Sequence, residues 1–294
     1  MIVLPKDLSE IVKDPQKGIV EKPISILQLV NFTCEADYEL NESVYNSAIK
    51  NVKLLQDVTA DNIRMEFEKI ISSKKAGKGI ELLTKLGTME YILGTEVAEN
   101  MSKREMEDFN LYIENIDKTK QTRLRRLALF YRCFDNKRAE IAVKNLQFSE
   151  EDTEFLLDGI YLLEKLYFIT NKYEMKKFLQ QYGMERYEFL HNLSKAQRIV
   201  YDLPSNRIES RQYILDNIKE YNEPIFEEDL EITREDLIKE GIGKEQDYDR
   251  VFDELLDLVY IKPKYNNRED LLEYAKKYSK NKFAGAFKKI RYIK

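Results

Sequence analysis

Residues 60–93 read ADNIRMEFEKIISSKKAGKGIELLTKLGTMEYIL, and this stretch decides the fold class. Its apolar residues recur at the 3.6-residue spacing of an amphipathic helix, and Thr59 stands where an N-cap is expected. The residues on this apolar face are Ile63, Phe67, Ile70 and Ile71. Gly87 then marks the end of a second short helix, before a third begins. The stretch therefore predicts three consecutive helices.

The same helical periodicity continues along most of the chain, and no convincing alternation typical of a β-strand occurs. The 294 residues include only ten Gly and six Pro, which is a composition that favours helices. A further helix is predicted to start after Ser149, which can act as its N-cap and is followed by acids in the first turn. We therefore expect an all-α protein.

Residue types that carry catalysis or metal binding are scarce. Cys34, Cys133 and His191 are the only cysteines and histidine, and their spacing fits no zinc site. No Gly-rich phosphate-binding motif occurs. The single Asp-x-Asp, at Asp247 and Asp249, begins an amphipathic helix, where acids are favoured without any metal. We predict no catalytic residue, no metal and no cofactor.

The surroundings of the protein are also indicated by composition. Two cysteines without a pairing pattern are typical of free thiols in a reducing cytoplasm. The early charges of the N-terminus do not fit a signal peptide, and no run of 18 apolar residues occurs. We expect a cytoplasmic protein with no membrane partner.

The net charge argues against a nucleic-acid-binding protein that is basic as a whole, but a local basic surface could still contact RNA. The formal charge of −5 and pI of about 5.4 are unlike those of a basic nucleic-acid-binding protein. Two acid-free clusters could nevertheless contact phosphates. These candidate RNA-binding residues are Lys118, Lys120, Arg123, Arg125 and Arg126 in the first cluster, and Lys276, Lys277, Lys280, Lys282, Lys288, Lys289 and Arg291 in the second.

Residues 60–93 resemble the neck region of the bacterial tRNA nucleotidyltransferases, the family of CCA-adding enzymes and poly(A) polymerases. The matching positions are Ile63-Arg64, Glu66-Phe67, Lys69-Ile70, Ser73, Gly79-Ile80, Leu82-Leu83, Gly87 and Ile92-Leu93. Weaker similarity to the body and tail of that family follows in the same order. The resemblance implies an elongated chain of helical modules: a neck-like domain at 1–117, a body at 118–220 and a tail at 221–294.

The catalytic head of that family carries a Gly-Ser dipeptide and an Asp-x-Asp on a sheet, which hold two magnesium ions. This sequence has no Gly-Ser dipeptide, and only about a dozen residues precede Asp14, where the resemblance to the family begins. We therefore expect a chain without a head.

Residues 14–32 align without gaps to the family segment that selects the incoming nucleotide. In that segment an acid and an arginine present hydrogen bonds to the base, as a planar guanidinium can do in a bidentate way. Here Lys22 replaces the aspartate, and the arginines have become Ser25, Gln28 and Asn31, while Glu21 is kept. The resemblance implies a scaffold freed from nucleotide selection.

Three interpretations remain at this point. The favoured one is a non-catalytic protein that binds tRNA or another structured RNA by shape and phosphate contacts. The second is the RNA-positioning half of a split enzyme, whose head is a separate polypeptide. The third is a helical protein-interaction scaffold that has lost RNA binding as well.

Overall fold

The computed structural model describes residues 4–36 and 38–280, and over these residues the protein is all-α, as predicted. No β-strand occurs within the described residues. The α-helices are α1 Lys6–Lys13, α2 Pro15–Glu21, α3 Ser25–Ala36, α4 Glu42–Asn51, α5 Ala60–Ser72, α6 Ala76–Lys85, α7 Met89–Leu93, α8 Thr95–Glu99, α9 Lys103–Asn115, α10 Arg123–Tyr131, α11 Asn136–Asn145, α12 Glu150–Tyr161, α13 Lys172–Tyr201, α14 Asn206–Glu220, α15 Arg234–Lys239, α16 Tyr248–Ile261 and α17 Arg268–Lys280.

Local sequence signals set several helix ends where they were predicted. Thr59 Oγ1 accepts a hydrogen bond from the Asn62 amide at 3.4 Å, and Ser149 Oγ accepts one from the Asp152 amide at 3.1 Å. These bonds satisfy amides that have no partner inside their helices. Gly87 has a φ of +77°, a conformation that glycine adopts without steric cost, and it follows the end of α6.

Two helices are shorter than their apolar pattern predicts. The apolar spacing of Val44, Ala48, Val52 and Leu55 predicts one helix over 44–55, but α4 ends at Asn51 and the chain continues as a 3-10 helix, Val52–Asp57. The apolar pattern after Ser149 predicts a helix of about five turns, but α12 ends at Tyr161 and is followed by the 3-10 helix Leu163–Phe168. Apolar residues three apart share a face in both helix types, so the pattern does not reveal the change of winding.

The described residues form two compact units. The first comprises those within Met1–Tyr167 and Glu188–Ile208, and the second those within Phe168–Tyr187 and Glu209–Lys294. Helix α13 contributes to both, and its helical conformation is interrupted at Gly183, where φ is 81°. The division into three modules at 1–117, 118–220 and 221–294 stays a prediction.

An aromatic cluster fills the core of the first unit. The Phe130 ring lies 5.1 Å from that of Phe67 and 5.8 Å from that of Tyr112, measured between centroids. All three side chains are fully buried. Because they come from α5, α9 and α10, the cluster joins these helices into one body.

Two glycines let α6 pack unusually close to its neighbours. A Cβ atom at Gly77 would lie 2.2 Å from the carbonyl oxygen of Ile113 in α9. A Cβ atom at Gly79 would lie 2.5 Å from Cys34 Sγ and 2.6 Å from Ile70 Cγ2, which belong to α3 and α5. Only hydrogen fits at these positions, so the helix spacing depends on both glycines.

The second unit has its own apolar core, built mainly from α15, α16 and α17. Leu237, Leu255 and Leu271 are fully buried in it, one from each helix. The buried Lys176 ammonium, in the first half of α13, lies 2.8 Å from a Glu223 carboxylate oxygen within the same unit. Pairing of this kind offsets the cost of burying a charged group.

Substitution of Gly79 by alanine tests the close packing of α6. We expect Gly79→Ala to lower the free energy of unfolding by about 1–3 kcal/mol, since overpacking forces neighbouring groups to shift. Chemical denaturation followed by circular dichroism would measure the change.

Cys34→Ala supplies the matched background for that measurement, because it removes the sulfur atom that the new methyl group would meet. In this background Gly79→Ala should lower the free energy of unfolding by a smaller amount, so the effects of the two substitutions should not be additive. An equal cost in both backgrounds would contradict the packing account.

Candidate functional site

A polar cleft of about 180 Å³ lies in the first unit, between α1, α3 and α5. Side chains spaced three or four residues apart along α3 share one helix face, and this face forms one wall of the cleft. The lining residues are Pro5, Asp7, Leu8, Gln28, Asn31, Phe32, Glu35, Glu66 and Lys69. The cleft therefore combines three helices that are separated along the chain.

Glu66 is the best-connected group of the cleft. Its side chain is largely buried, and its Oε1 accepts hydrogen bonds from Lys69 Nζ at 2.8 Å and from Gln28 Nε2 at 3.5 Å. A buried carboxylate needs such partners because it has lost its contacts with water. Lys69, the basic residue of the lining, is thereby engaged by an acid.

The five positions of the expected nucleotide-selection segment separate in the structure. Gln28 and Asn31 line the cleft, whereas Ser25 is buried. Lys22 Nζ donates to Asp7 Oδ2 at 3.2 Å, and this hydrogen bond lowers the pKa of Asp7. Glu21 is exposed and lies 3.8 Å from the Lys17 ammonium on its own helix. Only two of the five positions therefore meet at one site.

Sequence reasoning did not assign the residues that face Gln28 and Asn31. Asp7 comes from α1, while Glu66 and Lys69 come from α5. Glu66 and Lys69 belong to the motif that carries the family resemblance, and their i,i+3 spacing was a usable signal of a shared helix face.

The first basic cluster divides into exposed and internal residues. Lys118 and Lys120 are exposed at the turn before α10. The Arg123 guanidinium binds Asp152 in a bidentate way, at 2.7 and 2.8 Å, and also reaches Glu68 at 2.8 Å. These bonds raise the pKa of Arg123. Arg125 is half-buried and donates to Thr122.

Arg126 lies in the core with 1% of its surface exposed. Its guanidinium donates to the carbonyl oxygens of Ile71 at 3.0 Å, Ser73 at 2.7 Å and Thr119 at 2.8 Å. Its Nε also donates to Thr119 Oγ1 at 3.2 Å. The first two acceptors lie at the C-terminal end of α5, where carbonyls lack helical partners and the helix dipole favours a cation. The guanidinium therefore stabilises the fold and is not accessible to a phosphate.

The second basic cluster is described in part. Lys276, Lys277 and Lys280 are exposed on α17 in the second unit. Lys276 pairs with Glu240 at 2.9 Å, and Lys277 pairs with Glu273. Exposed pairs of this kind contribute little stability, so the lysines can exchange partners readily. Lys282, Lys288, Lys289 and Arg291 lie outside the described residues.

The acid, cysteine and histidine considered for catalysis are paired or buried in the structure. Asp249 pairs with Arg234 at 2.8 Å at the start of α16. Cys133 is buried, and burial raises the pKa of its thiol to about 12, so the nucleophilic thiolate is scarce. His191 is 4% exposed on α13. Within residues 4–36 and 38–280, no group of three or more acids, cysteines or histidines is arranged to hold a metal ion.

No helix in the described part of the chain combines the length and apolar character needed to cross a membrane.

Comparison with known proteins identifies the class of this region. Residues 37–100, which span α4 to α8, match the family model described as "Probable RNA and SrmB- binding site of polymerase A". Residues 37–100 are thus a region of the poly(A) polymerase and tRNA nucleotidyltransferase family, as residues 60–93 predicted.

Two curated relatives are both named CCA-adding enzyme. The one from Geobacillus sp. (strain WCH70) is 26% identical over 81 residues, which is 28% of this chain and 20% of that enzyme. The one from Bacillus licheniformis is 25% identical over 89 residues, which is 30% of this chain and 22% of that enzyme. The similarity therefore spans about a fifth of the length of these relatives.

Replacement of Arg126 tests its assignment to the fold. We expect Arg126→Met to lower the free energy of unfolding by about 2–4 kcal/mol, because buried carbonyl oxygens would lose charged donors. Arg126→Lys should also destabilise the fold, since an ammonium cannot reproduce the planar fork.

The matched control is Lys120→Met, which removes an exposed cation a few residues away and should change stability by less than about 0.5 kcal/mol. Equal stability of the Arg126 and Lys120 variants in chemical denaturation would refute a structural role for Arg126.

Proposed function

We propose that this protein binds tRNA or another structured RNA and does not itself select or add nucleotides. The observation that carries the proposal is the match of residues 37–100 to the RNA-binding region of polymerase A. The protein acts in RNA metabolism of the cytoplasm, with tRNA processing as its setting.

The composition of the cleft supports the non-catalytic half of the proposal. In the resembled family segment an acid and an arginine read the base, since the fixed charge and planar fork of a guanidinium match a base edge. Here Gln28 and Asn31 occupy two of the arginine positions, and Lys69 is engaged by Glu66. A triphosphate entering the cleft would meet the exposed Glu35, and the two other acids of the lining, Asp7 and Glu66, already engage Lys22 and Lys69.

Exposed lysines supply the phosphate contacts in this proposal. Lys118 and Lys120 serve the first unit, and Lys277 and Lys280 serve the second. Contacts of this type release counterions from RNA, so affinity falls as salt increases. Arg126 has no part in binding, because its guanidinium is used inside the protein.

A catalytic head on a separate polypeptide is the second candidate. It is favoured by the match of residues 37–100 to a probable RNA-binding site of polymerase A, a region that would hold RNA for the other chain. In that case the tagged protein, purified from its source, would carry a partner that adds labelled CTP or ATP to tRNA.

Binding of bulk tRNA to the full chain, measured by fluorescence at several salt concentrations, tests the main proposal. We expect binding at low salt, with a slope of log K against log salt that reports the number of phosphate contacts. Neutralisation in Lys118→Gln/Lys120→Gln, or in Lys277→Gln/Lys280→Gln, should each lower that slope by about one to two units.

The matched control is Lys103→Gln/Arg104→Gln, which removes two highly exposed cations at the start of α9. Its slope should equal that of the unmodified chain. Absence of binding at low salt, or an equal loss in the control, would refute RNA binding through the named lysines. Incorporation of labelled CTP or ATP by the purified chain alone would refute the non-catalytic half.

A further inference from the structure

Two lysine-rich segments of the first unit, residues 73–78 and 117–120, lie side by side at the start of α6. They come together although the residues that join them, Gly77 and Asp117, are 40 positions apart in the chain. Both segments carry exposed or partly exposed lysines, which are Lys74, Lys75, Lys78, Lys118 and Lys120. We call these five lysines the α6 patch.

Two contacts hold the segments together. The Arg126 guanidinium donates to the carbonyl oxygens of Ser73 and Thr119, so one planar group spans the two backbones. The Gly77 amide donates to Asp117 Oδ1 at 3.1 Å and forms the second link. Each lysine of the α6 patch lies within two residues of one of these bonded positions. The fold therefore brings five lysines together that the sequence presents as two separate groups.

The charge of the α6 patch is positive. Asp117 is the one acid in the two segments, against five lysines. By contrast, the exposed Lys85 at the other end of α6 pairs with Glu81 one turn before it, at 2.7 Å. Lys118 donates to the neutral side chain of Asn115 at 2.6 Å. The cations therefore outnumber the acids locally, and such a surface attracts anions.

The carboxylate of Asp117 has a double effect. It accepts from an amide in the first turn of α6, where the helix dipole favours a negative group. It also places a negative charge among the lysines and so lowers the positive potential of their surface. Asp117 therefore stabilises the start of α6 and weakens the attraction of the α6 patch for an anion.

We propose that the α6 patch binds the phosphate backbone of RNA and that Asp117 limits the affinity. Lysine ammonium groups donate to phosphate oxygens as point charges and do not read the base. The segment 73–78 lies inside the region that matches an RNA-binding site, which favours RNA over an acidic protein as the partner. This inference rests on the proposed RNA binding, and it joins the lysines of 73–78 to Lys118 and Lys120 in one contact.

Binding of bulk tRNA to the full chain, measured by fluorescence at several salt concentrations, tests the added lysines in Lys74→Gln/Lys75→Gln. We expect the slope of log K against log salt to fall by about one to two units, because two phosphate contacts are lost. The matched control is again Lys103→Gln/Arg104→Gln, whose slope should not change. Circular dichroism checks that each variant keeps the fold.

The outcomes separate this inference from the function on which it rests. Suppose that tRNA binds, that Lys118→Gln/Lys120→Gln lowers the slope and that Lys74→Gln/Lys75→Gln does not. RNA binding then stands, and the joint surface is refuted. Absence of tRNA binding by the unmodified chain at low salt would overturn both.

Asp117→Asn tests the role of the acid. Asparagine keeps an oxygen that can accept from the Gly77 amide, but it removes the negative charge. We expect this variant to bind tRNA about two- to fivefold more tightly at low salt, because the positive potential of the α6 patch rises. The control is Glu99→Gln, which removes an exposed acid of α8 outside the two segments and should leave the affinity unchanged. Equal affinities of the two variants would contradict the role given to Asp117.

Discussion

The buried Arg126 guanidinium is the contact on which the first unit depends. It bonds carbonyl oxygens at the end of α5 and at Thr119, and so fixes α5 against the start of α10. Helix α5 carries Glu66 and Lys69, so the same contact positions one wall of the cleft. A buried charge is tolerated only when its donors are satisfied, and four hydrogen bonds satisfy this one.

The sequence was most informative where structure is decided by near neighbours. Helix class, the caps at Thr59 and Ser149 and the stop at Gly87 all follow from residues within one turn. The burial of Arg126 could not be predicted, because a run of basic residues looks the same whether its members face water or carbonyls. The cleft was equally hidden, since α1 and α5 meet only in the folded chain.

The two faces of helix α3 differ in character. Leu27 in α3 is fully buried, as an apolar position of the resembled segment should be. Gln28 and Asn31, on the face toward the cleft, have uncharged side chains where the related pattern has arginines. The buried face of α3 thus keeps the apolar position of the resembled segment, while the face toward the cleft is uncharged.

Because Cys34 is packed tightly against α6, its reaction with a thiol reagent reports local opening of the first unit. Cys34 and Cys133 are the two cysteines of the chain, both are free, and neither exposes more than 3% of its surface. A thiol reagent can modify them only when the surrounding helices separate. The rate of labelling therefore reports how often each part of the unit opens, with Cys34 recording separation of α3 from α6 and Cys133 recording exposure of the core beside α10.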